Sequence, residues 1–291
     1  MPATPPRLHF PSPYETPTIA PTYAEYTATP DGAQIATFVY GEQGGIGTIP
    51  APILMLHGNG EEHGIFGPTI DAAVAAGYAV VALDSRAQGK STRGNAPLTY
   101  ELMASDALHV LDSLGIAQVH VLGFSDGAIE ALLIARDHPE RVLSLTALGA
   151  NLTPEGVIED EEWDIHASIA ANRAWMARWT TAPMPGVDPQ LLTPTPAQAA
   201  QTAELLQLML DEPHIEAESL TSITCPATIM VGEFDCITEE ETAAIHRAIA
   251  NSRLVVVPEA GHTLPKQVPE LVSEELLATV RAAEGQQAAA R

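Results

Sequence analysis

Basic residues and cysteines are both scarce in this chain of 291 residues. It has 13 lysines and arginines against 37 aspartates and glutamates, which gives a formal net charge of −24 at pH 7. Binding to a nucleic-acid backbone needs clustered positive charge, so we expect no nucleic-acid partner. Only two cysteines, Cys225 and Cys236, are present. They exclude a fold held by several disulfides, and we interpret both as free thiols.

Long apolar runs are missing as well. No stretch of about 18 apolar residues occurs, so we expect no transmembrane helix and no membrane partner. Residues 1–22 contain seven prolines and no apolar segment of the kind that a secretory signal needs. We interpret 1–22 as a proline-rich lead and expect a cytoplasmic protein. Hydrophobic residues still make up 46% of the chain, enough for a well-packed core.

Short apolar runs dominate the sequence after the lead. Two runs with β character, 23–29 and 33–40, flank the turn sequence Pro-Asp-Gly at 30–32 and predict an antiparallel hairpin. Six more runs are apolar without alternation, which is typical of strands buried on both faces of a parallel sheet. These predicted strands are 53–56, 79–83, 119–124, 143–148, 228–231 and 254–257.

Helical segments separate these strands. Apolar periodicity predicts helices at 68–76, 101–114 and 126–137. The alternation predicts an α/β fold with a doubly wound, mostly parallel sheet. The alternation breaks at 151–219, which we interpret as a helical lid inserted into a core formed by 23–150 and 220–291. The alternative is an ordinary excursion on the flank of the sheet.

All three tryptophans of the chain lie in the predicted lid. We expect Trp163, Trp175 and Trp179 to shape a substrate pocket and to limit the access of water.

The motif GFSDG at 123–127 joins a predicted strand to a predicted helix. This is the setting that a G-x-S-x-G nucleophile motif requires. The sharp turn strains the backbone of the serine, and only glycine fits at 123 and 127 without a Cβ clash. We therefore predict that Ser125 is a nucleophile at a helix N-terminus, where amide groups favour negative charge.

A serine nucleophile needs a base, and the base needs an acid that orients it. The sequence contains them in the order serine, acid, histidine, because Asp235 and His262 each follow a predicted strand. Since the carboxyl ends of parallel strands meet at one edge of a sheet, we expect both near Ser125. We predict that His262 is the general base and Asp235 the acid. Glu233, two residues earlier, is the alternative acid.

An oxyanion formed by attack of Ser125 needs two hydrogen-bond donors. We expect one to be the backbone N–H of Asp126, directly after the nucleophile. The other is expected in the loop HGNG at 57–60, where the backbone N–H of Asn59 is the candidate. We interpret His57 as a residue that braces this loop.

Together these motifs resemble the α/β-hydrolase fold superfamily, over about residues 23–285. The segments that carry the resemblance are HGNG at 57–60, DSRAQGKS at 84–91, GFSDG at 123–127, GEFD at 232–235 and GH at 261–262. The resemblance implies the hydrolase fold and a Ser-His-Asp triad. The second segment departs from the family pattern D-x-R-G-x-G-x-S by Ala87 in place of glycine, which we expect to affect only a turn.

Within the superfamily, 123–142 and LGANL at 148–152 are similar to the valacyclovir-hydrolase (biphenyl-hydrolase-like) group. That resemblance implies that Asp126 binds the α-amino group of amino-acid esters. Alternatively, Asp126 only stabilises the N-terminus of its helix, by about 0.3–1 kcal/mol. The sequence leaves both interpretations open.

We therefore predict a serine hydrolase that cleaves a carboxylic ester of a small molecule and needs no metal or organic cofactor. A carbon–carbon bond hydrolase with the same triad is an alternative, in which Arg173 and Arg178 would hold an anionic substrate. A non-catalytic binding protein on the same fold is another. Cys236, next to Asp235, is interpreted as a small buried filler, and the alternative is a position near the active site. The sequence makes no prediction about the oligomeric state.

Overall fold

A computed structural model describes residues 14–41, 51–158, 164–178 and 195–290. It contains one eight-stranded sheet, with strand order β1-β2-β4-β3-β5-β6-β7-β8. The strands are β1 Tyr23–Ala28, β2 Gln34–Tyr40, β3 Ile53–Leu56, β4 Val80–Leu83, β5 Val119–Phe124, β6 Val142–Leu148, β7 Ala227–Gly232 and β8 Ser252–Val257. All eight predicted strands are confirmed, with ends that shift by two residues at most.

The N-terminal hairpin is antiparallel, as predicted. β1 pairs with β2 in a register that sets Ala28 opposite Gln34. The turn between them closes with a hydrogen bond from Gly32 N–H to the Thr29 carbonyl, and Gly32 has φ +92°, which favours glycine. β2 also runs antiparallel to β4, whereas every pairing from β4 through β8 is parallel. The sheet is therefore mixed, with its parallel part carrying the predicted active-site loops.

Helices cover both faces of the sheet. They are α1 Gly67–Ala75, α2 Tyr100–Ser113, α3 Asp126–Asp137, α4 Ile165–Arg178, α5 Pro196–Asp211, α6 Glu239–Ala248, α7 Leu264–Gln267 and α8 Pro269–Ala290. One apolar cluster packs α2 and α3 on one face, and a second packs α1 and α8 on the other. This doubly wound arrangement is the predicted one. In the described part of the chain, no helix has the length and hydropathy needed to cross a membrane.

The strand β8 differs from the expectation that all six parallel strands are buried on both faces. It lies at the edge of the sheet, and Leu254 and Val256 are 36% and 53% exposed. The predicted run LVVV at 254–257 is as apolar as the central strands, so its composition could not separate an edge strand from an interior one.

The segment 151–219 contributes no strand through its described residues, and its two helices lie in the chain between β6 and β7. α4 and α5 pack on each other through a small apolar cluster: Ile165, Ile169, Ala203 and Leu206. A bidentate salt bridge between Arg93 and Glu204 connects α5 to the core, with N–O distances of 2.8 and 2.6 Å. A helical insertion consistent with a lid is therefore present.

The described end of the lead lies against the core. The Thr18 backbone N–H and hydroxyl both donate to Asp71 of α1, at 2.9 and 2.6 Å. Gly67 permits this contact, because a Cβ there would come within 2.0 Å of the Glu15 carbonyl oxygen.

The segment 84–91 has a structural role. Arg86 is 1% exposed. It makes a bidentate salt bridge with Asp106, at 2.8 and 2.7 Å, and also donates to Asp31 of the hairpin turn at 2.7 Å. Ala87 has φ +63°, in the left-handed region where the family pattern has glycine. The substitution thus affects a turn, as expected, and the alanine bears the strain that glycine would avoid.

Candidate active site

Ser125 lies on a sharp turn between β5 and α3. Its backbone has φ 53° and ψ −119°, a strained conformation for a residue with a side chain. Its N–H donates to the Leu148 carbonyl at the end of the neighbouring strand, 2.8 Å away, and its carbonyl accepts from Ala128 N–H at 2.8 Å. The turn is thus held from both sides, and the serine precedes the first residue of the helix.

The two glycines of the motif are required by close approach of the backbone. A Cβ on Gly123 would lie 2.2 Å from the Gly127 carbonyl oxygen. A Cβ on Gly127 would lie 2.1 Å from the carbonyl oxygen of Leu56, at the end of β3. The predicted steric reason for both glycines is confirmed.

Ser125, His262 and Asp235 form a continuous chain of hydrogen bonds. His262 Nε2 lies 2.9 Å from Ser125 Oγ, and its Nδ1 lies 2.7 Å from Asp235 Oδ1. A carboxylate only accepts hydrogen bonds, so Nδ1 carries the proton and Nε2 is left to accept the serine hydroxyl proton. This arrangement can remove a proton from Ser125.

His262 and Asp235 each affect the pKa of the other. Burial by itself lowers the pKa of His262, but hydrogen bonds with Asp235 and Cys236 outweigh it and hold that pKa above its ordinary value. Burial likewise raises the pKa of Asp235, yet the hydrogen bond from His262 outweighs it and leaves that pKa lowered. Asp235 therefore remains a carboxylate and stabilises the imidazolium that forms when His262 accepts a proton.

Asp235 and Glu233 face different partners. Asp235 Oδ1 also accepts from the backbone N–H of Ile237 at 3.0 Å, which fixes the carboxylate beside the histidine. Glu233 is exposed, and its carboxylate accepts from the backbone N–H of Glu259 at 2.8 Å. The geometry therefore favours Asp235 over Glu233 as the partner of His262.

The side chain of His57 holds the loop after β3 through two hydrogen bonds. Its Nε2 accepts from Ser85 N–H at 2.9 Å, so Nδ1 carries the proton and donates to the Gly58 carbonyl at 2.8 Å. The ring is fully buried, and burial lowers its pKa, which keeps it neutral. Among the described residues, the backbone N–H groups of Asn59 and Asp126 have no protein acceptor. Both are therefore available to an oxyanion at Ser125.

The carboxylate of Asp126 points into the protein. It is 2% exposed and accepts from Tyr100 Oη on one oxygen and from Asn59 Nδ2 on the other, each at 2.9 Å. Burial raises its pKa to about 6, against the opposing effect of these two hydrogen bonds. Asn59 Nδ2 also donates to the Leu205 carbonyl of α5 at 3.2 Å. One amide side chain thus connects the acid after the nucleophile, the oxyanion loop and the insertion.

Two further residues lie beside His262, of which sequence reasoning missed Gly149. Gly149, after β6, has φ +60°, and a Cβ there would lie 2.9 Å from His262 Cε1. The sulfur of Cys236 lies within 4.8 Å of a ring nitrogen of His262, and the residue is half-buried and not fully buried as a filler would be. For Gly149 the sequence held a signal, a glycine directly after a parallel strand, at the edge where Asp235 and His262 were already expected.

Of the residues predicted to act from the lid, Trp175 and Arg173 lie on α4 and the other side chains lie outside the described residues. Trp175 is 3% exposed within α4, whereas Trp163 and Trp179 fall outside the described residues. Arg173 is exposed and lines a cavity of about 450 Å³ beside α5, together with Glu204, Asp211 and Glu212. The side chain of Arg178 is also outside the described part. The predicted substrate contacts of the tryptophans remain predictions.

Comparison with known proteins gives the family. Human serine hydrolase BPHL is 30% identical over 220 residues, which cover 71% of this chain and 70% of that protein. The chain belongs to the α/β-hydrolase fold family. Residues 51–168 match the family described as alpha/beta hydrolase fold. The resemblance inferred from the sequence motifs is thereby confirmed.

Other α/β-hydrolases similar to this chain include named esterases. Rhodomycin D methylesterase DnrP of Streptomyces peucetius is 27% identical over 258 residues, covering 74% of this chain and 85% of that protein. The structure of an esterase from Exiguobacterium antarcticum superposes with a TM-score of 0.67 at 24% identity, over 89% of this chain and 100% of that one. At that identity the superposition shows a shared fold.

Replacing Gly149 with alanine should impair turnover through His262. The new Cβ would press on the imidazole ring, and displacing a reacting group by about 1 Å can cost about 10²-fold in rate. We expect a loss of kcat of at least tenfold in Gly149→Ala, measured by ester hydrolysis. Gly115→Ala is the matched control, because Gly115 has φ +69° and nothing within 4 Å of its Cβ position. An equal loss of kcat in both variants would contradict the steric explanation.

Replacing Asp235 with asparagine should shift the pH profile. Only neutral His262 accepts a proton, so kcat/KM rises with pH through the pKa of His262. Asp235→Asn removes the carboxylate that raises this pKa, so the acidic limb should move to lower pH while the plateau falls by about 10³–10⁴-fold. The control is Glu233→Gln, for which we expect the wild-type profile. A shift in Glu233→Gln instead would make Glu233 the acid.

Proposed function

We propose that this protein is a serine esterase that hydrolyses carboxylic esters of small molecules. The observation that carries the proposal is the hydrogen-bond chain from Ser125 Oγ through His262 to Asp235, at 2.9 and 2.7 Å, with Ser125 at the N-terminus of α3. The similarity to a protein named a serine hydrolase and to another named a methylesterase supports it.

The mechanism has two stages. Ser125 Oγ attacks the ester carbonyl carbon while His262 Nε2 takes the hydroxyl proton, and Asp235 stabilises the resulting imidazolium. The backbone N–H groups of Asn59 and Asp126 donate to the oxyanion. His262 then protonates the alkoxide of the leaving alcohol, which leaves an acyl group on Ser125. Water attacks this acyl-enzyme by the same proton transfers and releases the acid, so no step calls for a cofactor.

Asp126 has two proposed roles that compete for the same carboxylate. As a positioning residue, it holds the side chain of Asn59 and so the loop that donates to the oxyanion. As a substrate-binding residue, it would bind an α-amino group. An ammonium would have to displace Asn59 or Tyr100 from a carboxylate that is 2% exposed. The hydrogen bonds therefore favour the positioning role.

The segment 151–219 is proposed to act as the lid of the esterase, on a core of 23–150 and 220–291. The contact of Asn59 with the Leu205 carbonyl supports this, because it sets α5 against the oxyanion loop. A carbon–carbon bond hydrolase would use cationic lid residues to hold an anionic substrate. Arg173 instead lines a cavity that contains three carboxylates, which would oppose binding of an anion there.

Replacing Ser125 with alanine should abolish esterase activity without unfolding the protein. We expect p-nitrophenyl acetate and butyrate to be hydrolysed by the wild type, and the rate of Ser125→Ala to fall by at least about 10³-fold. A fluorophosphonate probe should label the wild type and spare the variant. Equal hydrolysis by both proteins would overturn the proposal, and a folded wild type that reacts with neither ester nor probe would favour a binding protein.

An α-amino ester should have no large advantage over its des-amino analogue. We expect the ratio of their kcat/KM values to stay below tenfold, about 1.4 kcal/mol, because both oxygens of Asp126 already accept hydrogen bonds. The comparison uses matched esters of one alcohol at one pH. A preference above tenfold that disappears in Asp126→Asn would assign ammonium recognition to Asp126.

A further inference from the structure

Asp235, Cys236 and His262 bring three different metal-ligand atoms together. A carboxylate oxygen, the cysteine sulfur and an imidazole nitrogen all lie within 4.8 Å of one another. Cys236 and His262 are half-buried, so an ion would approach from their side, whereas the side chain of Asp235 is only 1% exposed. We propose that a thiophilic divalent cation such as Zn²⁺ binds these residues and inhibits the enzyme. The inhibitory part rests on the proposed esterase function, whereas the binding part does not.

The donor set is the kind that zinc prefers. Zinc takes sulfur, nitrogen and carboxylate oxygen at about 2.0–2.3 Å in tetrahedral geometry, and sites with three protein ligands leave one position for water. The corresponding separations between ligand atoms are roughly 3.3–3.6 Å. His262 Nδ1 and Asp235 Oδ1 are closer than this, at 2.7 Å. Binding therefore requires His262 Nδ1 and Asp235 Oδ1 to move apart by roughly 0.6 Å, against the hydrogen bond that Asp235 Oδ1 accepts from Ile237 N–H.

Binding would disable His262 by changing its tautomer. The ion replaces the proton on Nδ1, and a neutral imidazole then carries its proton on Nε2. Nε2 can no longer accept the hydroxyl proton of Ser125, so the nucleophile loses its base. The Cys236 thiol releases its proton to solvent as the metal–sulfur bond forms, and no oxidation or reduction takes place.

The rest of the described chain offers weaker alternatives. Glu62, His63 and Asp84 also form a group with metal-ligand atoms, but this group has no sulfur ligand for a thiophilic ion. The other thiol, Cys225, has its pKa raised to about 11 by burial. Cys225 therefore stays protonated and serves as the control cysteine.

The test measures inhibition of p-nitrophenyl acetate hydrolysis by Zn²⁺ in a buffer that does not chelate metals. We expect the concentration for half-inhibition to rise at least tenfold in Cys236→Ser and to stay at the wild-type value in Cys225→Ser. Each variant is compared with its own rate without metal, and EDTA should restore activity. Cys236→Ala is the second variant if the serine protein does not fold. Equal inhibition of the wild type and the Cys236 variants would overturn the proposal.

A binding measurement separates this inference from the proposed function. Cd²⁺ bound to a thiolate has a charge-transfer absorption, which should appear in the wild type and in Ser125→Ala but not in Cys236→Ser. Cadmium affinity should fall at least tenfold in His262→Gln, which keeps Cys236 but removes the nitrogen ligand. If the absorption is absent, or is unaffected by His262→Gln, the site is wrong. If it behaves as expected in a protein without esterase activity, the site stands and the proposed function fails.

Discussion

The close approach of α3 to the sheet is the constraint on which the candidate site depends. The helix can begin directly after Ser125 only because Gly123 and Gly127 lack a Cβ, which would otherwise lie 2.2 and 2.1 Å from backbone oxygens. That approach puts the serine in a left-handed conformation and leaves the Asp126 N–H without a partner inside the described protein. Strain of about 1–3 kcal/mol at such a residue persists only where the surrounding structure enforces it.

The side chain of Asn59 connects the turn at Ser125 to the helical insertion. It donates to Asp126, which follows Ser125, and to the Leu205 carbonyl of α5. A shift of α5 would therefore be transmitted to the loop at 57–60. Asp126 has no solvent to stabilise its charge, so the donors Tyr100 and Asn59 take that place. The buried acid that follows Ser125 thus links α2 to the loop at 57–60 through Tyr100 and Asn59.

Much of this arrangement could be predicted, because parallel strands are apolar runs and their carboxyl ends converge. Ser125, Asp235 and His262 follow β5, β7 and β8, so their proximity follows once the strands are recognised. The exposure of β8 could not be predicted, since the position of a strand at the edge depends on pairing between segments distant in the chain. The position of Cys236 near His262 was one alternative from the sequence, because it follows Asp235, but its distance from the ring depends on how the loop after β7 folds.

The sequence by itself determined the order of the strands and helices, the strained turn at Ser125 and the two other residues that could complete its hydrogen-bond chain. These features depend on local sterics and on hydrophobic burial, which act over a few residues. Only the tertiary structure decided that Asp235, not Glu233, faces His262, that Gly149 makes room for the imidazole, and that Asp126 is sealed from solvent. Those outcomes depend on distances and burial between segments far apart in the chain, which a linear pattern does not contain.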